Sequence, residues 1–177
     1  MVSLKSMFKR KKEDASVRVL RLEEVDSTIS FLLSHHPAEG EKMTVAVADY
    51  QTAGRGQGDN KWESERGKNL TLSILLHPVM VPLQRQFLLS MMGGVALKMA
   101  LANYTDDITM KWPNDAYWKD NKLSGTLIET TIAGGHINNC VFGIGLNVNQ
   151  TEFHSDAPNP VSPIPILGHE VDRERPL

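Results

Sequence analysis

Apolar positions alternate with polar ones from Val17 to Leu22, the two-residue period of a half-buried strand. Asp26, Ser27 and Thr28 then offer side-chain oxygens to cap a short helix carried by Ile29, Phe31, Leu32 and Leu33, which His35-His36-Pro37 stops. Met43 to Ala48 predicts a buried strand feeding a glycine-rich loop, Thr52 to Asp59, and Leu70 to Leu76 predicts the next strand. Between Gln84 and Tyr104, Phe87, Leu88, Met91, Val95, Met99 and Leu101 recur at mostly three- and four-residue steps, predicting the longest helix, with Gly93-Gly94 weakening its middle. Ile108 to Trp112 predicts a short strand ended by the turn sequence Pro113-Asn114-Asp115. Ser124 to Ile132 and Ile137 to Val148 predict two strands joined through Ala133-Gly134-Gly135-His136. Beyond Asn149 the pattern fades into a segment with Pro158, Pro160, Pro163, Pro165 and Pro176, read as a peripheral strap or a fraying end. Hairpins with separated helices favour α+β over a regular βαβ succession.

A chain of 177 residues with 41% hydrophobic and 23% charged residues suits one folded domain and excludes collagen-like, coiled-coil and wholly disordered classes. The expected division is a basic tail over 1–14, a catalytic domain over 15–150 and a proline-rich segment over 151–177. A formal charge of -2 supplies no global attraction for a polyanion, so phosphate binding must be local and DNA is not an expected partner. The single cysteine, Cys140, excludes an internal disulfide and a thiolate-rich zinc site, and suits a reducing cytoplasm. No apolar run approaches the ~20 residues of a spanning helix, so no membrane partner is expected.

Three clusters carry candidate chemistry. In Gln51-Thr52-Ala53-Gly54-Arg55-Gly56-Gln57-Gly58-Asp59-Asn60-Lys61-Trp62, glycines at alternate positions let main-chain N–H groups approach an anion while Arg55 can fork onto a phosphate or carboxylate. A flexible surface turn explains the same residues about as well. The pattern is neither a Walker A loop nor a dinucleotide fingerprint. Lys111-Trp112-Pro113-Asn114-Asp115, followed by Lys122-Leu123-Ser124-Gly125, offers a lysine to neutralise charge on a phosphoryl or carboxyl oxygen and a carboxylate to orient an amine or a metal ion; an exposed turn lysine is the bland alternative. Gly143-Ile144-Gly145-Leu146-Asn147-Val148-Asn149 ends a strand with glycines where a ligand can approach, or is simply a bulged strand. No activated serine or cysteine nucleophile is evident.

Taken in order, Asp26-Ser27-Thr28, the Gln51 to Gly56 stretch, Lys111 to Asp115, Lys122 to Gly125 and Gly143 to Asn149 resemble the biotin protein ligase family, over roughly residues 17–150. The resemblance implies a mixed, largely antiparallel sheet flanked by helices, with biotin and ATP as substrates on one face. It implies formation of biotinyl-5′-adenylate and transfer of biotin to a lysine of a biotin carrier domain, with Mg²⁺ accompanying the nucleotide near Asp115 and no dedicated metal site on the protein.

By the same resemblance, Ser27, Thr28, Gln51, Arg55, Gly56, Gln57, Lys122 and Gly125 bind biotin. Arg55, Trp62, Lys111, Asn114, Asn147 and Asn149 serve the nucleotide, and Lys122, Arg55 and Asp115 carry the catalysis. A homodimer is one assembly it allows. Better-known members carry more arginines in the glycine loop, where this chain has Gln57, Gly58, Asp59 and Asn60, so looser retention of the adenylate is expected. The length leaves no room for a preceding DNA-binding module or a following β-barrel-like domain, which suggests a truncated or minimal ligase. A lipoate or octanoate ligase or transferase and a non-transferring biotin or adenylate binder are the alternatives.

Overall fold

The computed structural model describes residues 16–113, 115–154, 159–163 and 168–172; the basic stretch 1–14, Asn114, Pro158, Pro165 and Pro176 lie outside the described residues. Seven strands form one sheet: β1 (Val17–Leu22), β2 (Met43–Ala48), β3 (Leu70–Leu76), β4 (Ile108–Lys111), β5 (Asp115–Trp118), β6 (Asn121–Ala133) and β7 (His136–Leu146). Their spatial order is β1-β2-β3-β7-β6-β5-β4. Only β1 and β2 pair in parallel, and every other neighbour is antiparallel. The mixed, largely antiparallel sheet expected from the resemblance is therefore present.

Two helices flank it, α1 (Thr28–Leu33) and α2 (Phe87–Leu101). A Cβ placed on Gly143 would meet Ile29 of α1, while one placed on Gly93 of α2 would meet the Phe142 ring. Successive residues of a strand point to opposite faces, so α1 covers one face of β7 and α2 the other. Ile29, Leu32, Ala46, Leu75 and Val141 form the core under α1. Leu89, Ile137, Cys140 and Phe142 form one core under α2, and Leu97, Leu101, Ile108, Ala116, Leu123, Leu146 and Val148 form another.

Several boundaries differ from the sequence reading. The long helix starts at Phe87 because Leu83–Arg85 form a separate 3₁₀ turn. Asp115, read as the end of a turn, instead opens the strand Asp115–Trp118, for which the sequence reading assigned no element and which buries Ala116 and Tyr117. Ser27 occupies the N-cap of α1 but its hydroxyl makes no capping bond; its N–H donates to Asp26 Oδ1 at 2.6 Å. Gly134 and Gly135 take φ of 59° and 80°, the left-handed pair that a two-residue hairpin turn needs, and Ala133 pairs His136 across it.

Where α1 returns to β2, Glu41 is nearly buried and collects the Thr44 hydroxyl, the Ala38 N–H at 3.2 Å and His35 Nε2 at 3.1 Å, with Arg18 Nη1 at 3.6 Å. The Thr44 hydrogen bond is the largest influence and outweighs desolvation, holding the carboxyl at about 2 against its usual 4.5. A depressed carboxyl stabilises the fold above its unfolded value and loses that stabilisation as pH falls through the folded one. Glu41→Gln should therefore lower the denaturant midpoint at neutral pH. The gap from wild type should close as pH drops from 4.5 toward 2. A gap that stays constant across that window would refute the assignment.

Among the described residues no helix is long and apolar enough to cross a membrane.

Candidate functional site

A cavity of about 510 Å³ opens on the α1 face of the sheet, over β3, β7 and β6. One wall is a buried hydrogen-bond relay. Gln51 Oε1 accepts from the Thr28 N–H at 2.7 Å and from the Thr28 hydroxyl at 3.0 Å, and that hydroxyl lies 2.7 Å from Ser73 Oγ on β3. Main-chain bonds from Thr52 to Val25 O and from Ala53 to Asp26 O lock the two segments together, so Gln51 is held beside the start of α1. Ser27 is 2% exposed, and its Oγ has no hydrogen-bond partner in this wall. A buried hydroxyl without a partner is costly unless a ligand completes it.

The glycine-rich loop forms a small hairpin over the cavity. Gly56 N–H donates to Asn60 O and Trp62 N–H to Gly54 O, while Gly58 makes the turn with φ 63°. The close approach at Gly54 is obligatory, since a Cβ there would sit 2.4 Å from Trp62 O. Trp62 lies flat across the floor, where Cβ atoms on Gly145 and Gly125 would be 2.1 Å and 3.3 Å from its ring. The glycines of β6 and β7 thus make room for an indole, whose buried Nε1 has no partner.

The far wall carries the charged pair. Lys122 Nζ lies 2.9 Å from Asp115 Oδ2, and both side chains are about one-fifth exposed (19% and 20%). They come together because Asp115 pairs opposite Gly125 on β6, and Gly125 leaves space for both. With only about a fifth of its side chain exposed, the ammonium is shielded more than a surface lysine and can donate to a ligand oxygen at low reorganisation cost.

Arg55 reaches to β6 and forks onto both carboxylate oxygens of Glu129. Glu129 lies on the same face of β6 as Gly125 and Leu127, four and two residues before it. Sequence reasoning missed it; its one signal is that even spacing from Gly125. Ile29, which lines the cavity, and Ser73, which bonds to the Thr28 hydroxyl behind it, were also missed, being ordinary core and strand residues in the sequence.

Of the sequence candidates, Thr28, Gln51, Arg55, Gly56, Gln57, Trp62, Asp115, Lys122 and Gly125 line the cavity, while Ser27 is buried and is not among its lining residues. Lys111 does not: its Nζ sits 4.8 Å over the Tyr117 ring, and it lines a smaller apolar cavity of about 290 Å³ with Trp112 and α2 residues. Asn147 and Asn149 do not line the main cavity either. Their amides bond to Val161 O and to the main chain of Val171, because β7 ends at Leu146 and turns them toward the C-terminal segment. Asn114 lies outside the described residues. Cys140 is fully buried and burial pushes its thiol up to about 12, which leaves no thiolate for chemistry at neutral pH. Among the described residues no cluster of three His, Cys, Asp or Glu side chains could hold a metal ion.

The fold and these motifs have known counterparts. Residues 22–147 match the model of the biotin/lipoate A/B protein ligase family. The bifunctional ligase/repressor BirA of Bacillus subtilis is 32% identical over 160 residues, covering 86% of this chain and 47% of that protein. The biotin–[acetyl-CoA-carboxylase] ligase of Mycobacterium tuberculosis is 34% identical over 135 residues, covering 74% and 48%. This chain thus spans just under half the length of these relatives. Among solved structures, the biotin protein ligase of Aquifex aeolicus in complex with biotin and ATP superposes with a TM-score of 0.66 at 32% identity, covering 89% of this chain and 64% of that one. The Leishmania major biotin protein ligase in complex with biotinyl-5-AMP gives 0.70 at 26% identity, covering 85% and 65%. The chain, with its glycine-floored cavity under an arginine-bearing loop, belongs to the biotin/lipoate A/B protein ligase family.

Proposed function

We propose that this chain carries the biotin-activating site of an ATP-dependent biotin protein ligase. The observation that carries the reading is one cavity with a neutral hydrogen-bonding wall of Thr28 and Gln51 at one side, next in sequence to the buried, unpartnered Ser27 hydroxyl, and the Lys122–Asp115 pair at the other. A ligand with a polar, uncharged head and an acid tail fits that polarity. Biotin has a ureido head and a carboxylate tail; lipoate and octanoate present no hydrogen-bonding head, so the polar wall favours biotin over them.

In the reaction a biotin carboxylate oxygen attacks the α-phosphorus of ATP. The P–O bond to pyrophosphate breaks, and biotinyl-5′-adenylate remains. The amine of a carrier-domain lysine then attacks the acyl carbon, AMP leaves with the C–O bond electrons, and the amine loses a proton. Lys122 stabilises the charge shared between carboxylate and phosphoryl oxygens, and Arg55, exchanging Glu129 for the ligand, closes over the same oxygens. Trp62 forms the floor beneath the acyl chain and the nucleotide. Asp115 keeps Lys122 in place and is the nearest carboxylate to an incoming amine. Mg²⁺ would arrive with the triphosphate and neutralise its charge; Asp115 alone, already engaged by Lys122, makes no resident metal site.

Incubating the chain with labelled biotin, MgATP and a biotin carrier domain tests this. Labelled carrier supports the ligase, pyrophosphate without labelled carrier supports an adenylate holder, and labelling with lipoate or octanoate alone overturns the substrate assignment. The sparse cations of the loop lead to a second expectation. Gln57 lines the cavity, so Gln57→Arg should add a charge-assisted bond to the adenylate and slow its dissociation about tenfold or more. An equal or faster off-rate in a chase experiment would count against it.

A further inference from the structure

Lys122 stands where the sheet alone holds it poorly. β7 ends at Leu146, opposite Ser124, so Lys122 lies beyond the last β6–β7 pair. On the other side β5 and β6 slip register between Ala116 and Tyr117: Ser124 pairs Ala116 while Lys122 pairs Tyr117, leaving Leu123 as the extra residue. A bulge beside a strand end leaves main-chain groups without ladder partners.

The segment from Asn159 fills that place. Lys122 N–H donates to Asn159 O at 2.9 Å, Val161 N–H donates to Lys122 O at 2.9 Å, and Lys122 and Pro160 form a parallel bridge. In a parallel ladder a residue bonds to the two neighbours of its partner. Proline at 160, which has no N–H, therefore costs no bond, while Asn159 and Val161 supply both. Asn147 closes the arrangement. Its Nδ2 donates to Val161 O at 3.1 Å and to Lys122 O at 3.4 Å, and its own N–H donates to Leu123 O at 3.0 Å. Val161 packs on the core around Leu97 and Leu146, and Ser162 is 2% exposed, so the segment is anchored rather than laid on the surface.

We propose that Asn147 and the Asn159–Val161 segment are a positioning clamp for Lys122, fixing its main chain so that the ammonium meets the reacting oxygens. The clamp rests on the assignment of Lys122 to those oxygens. Neither Asn147 nor Val161 lines the cavity, so both act through Lys122.

Two pairs of variants in the full chain test it: Val161→Pro, which deletes the N–H that Lys122 O accepts, against Val161→Ala, which keeps it; and Asn147→Ala against wild type. Amide exchange at Lys122, kcat and biotin KM for pyrophosphate release, and the thermal midpoint are read together. Val161→Pro and Asn147→Ala should each raise exchange at Lys122 and lower kcat about tenfold with biotin KM within about twofold, while Val161→Ala stays near wild type. If Val161→Pro does not fold, Asn147→Ala carries the same expectation. Raised exchange with unchanged kcat, or a kcat loss that merely tracks the thermal midpoint in all variants, overturns the clamp. Lys122→Ala runs alongside. If it leaves kcat intact, the assignment of Lys122 falls; if it abolishes kcat while the clamp variants keep theirs, the clamp alone falls.

Discussion

Lys122→Ala is expected to slow adenylate formation by about a hundred- to a thousandfold while changing biotin affinity far less, because removing one preorganised charge donor costs about that much when the charge builds only in the transition state. Its ammonium sits 2.9 Å from Asp115, four-fifths buried, at the acid end of the cavity and away from the Thr28–Gln51 wall that would hold the neutral head. Lys122→Arg keeps the charge but swaps a point donor for a planar fork, and should restore only part of the rate. Stopped-flow pyrophosphate release and biotin calorimetry separate the two effects. A parallel loss of rate and affinity in Lys122→Ala would mean that the lysine binds ground state and transition state alike, and the catalytic role would be withdrawn.

The second large effect is steric. A Cβ on Gly145 would lie 2.1 Å from Trp62 Cε2, with further ring atoms within 2.6 Å, so Gly145→Ala cannot coexist with the indole where it is. Either Trp62 lifts from the floor or β7 shifts beneath it, at about 1–3 kcal/mol for overpacking of this kind. Because Trp62 N–H also closes the loop onto Gly54 O, displacement of the ring disturbs the loop as well. Biotin affinity should fall by about ten- to a hundredfold. Gly94→Ala is the control: its added methyl would meet only Met110 Cε, at 3.6 Å, and it lies inside α2, where alanine is preferred. Equal biotin affinities for both variants, measured on folded protein, would show that the indole does not form the floor of the site.

Much of this was legible in the chain itself. The apolar patterns of Val17–Leu22, Met43–Ala48 and Leu70–Leu76 mark strands whose bounds the structure keeps; β2 and β3 bury alternate positions, whereas β1, at the edge of the sheet, buries none of its residues. β5 was not legible: four residues after a proline turn carry too little periodicity, and Ala116 and Tyr117 are buried only because α2 and β6 enclose them. The order that places β7 at the centre depends on long-range pairing that local patterns do not encode. The same limit applies to the site. Motifs identified Gln51, Arg55 and Lys122 as residue types suited to the chemistry, and those residues line one cavity. For Asn147, Asn149 and Lys111 the motif supplied the side chain but not its direction, which was decided by partners outside the motif, Val161, Val171 and the Tyr117 ring.

The fork between Arg55 and Glu129 has a consequence for how an anion enters the cavity. A guanidinium already matched by a carboxylate gains little net attraction when it turns to another, since one charge-assisted pair replaces a second of similar strength. Capture of an acid or a phosphate by this loop is thus an exchange of partners, and its free-energy change lies close to balance. Such a loop releases as readily as it grips, with modest sensitivity to ionic strength, which suits a reactive intermediate that must be handed on.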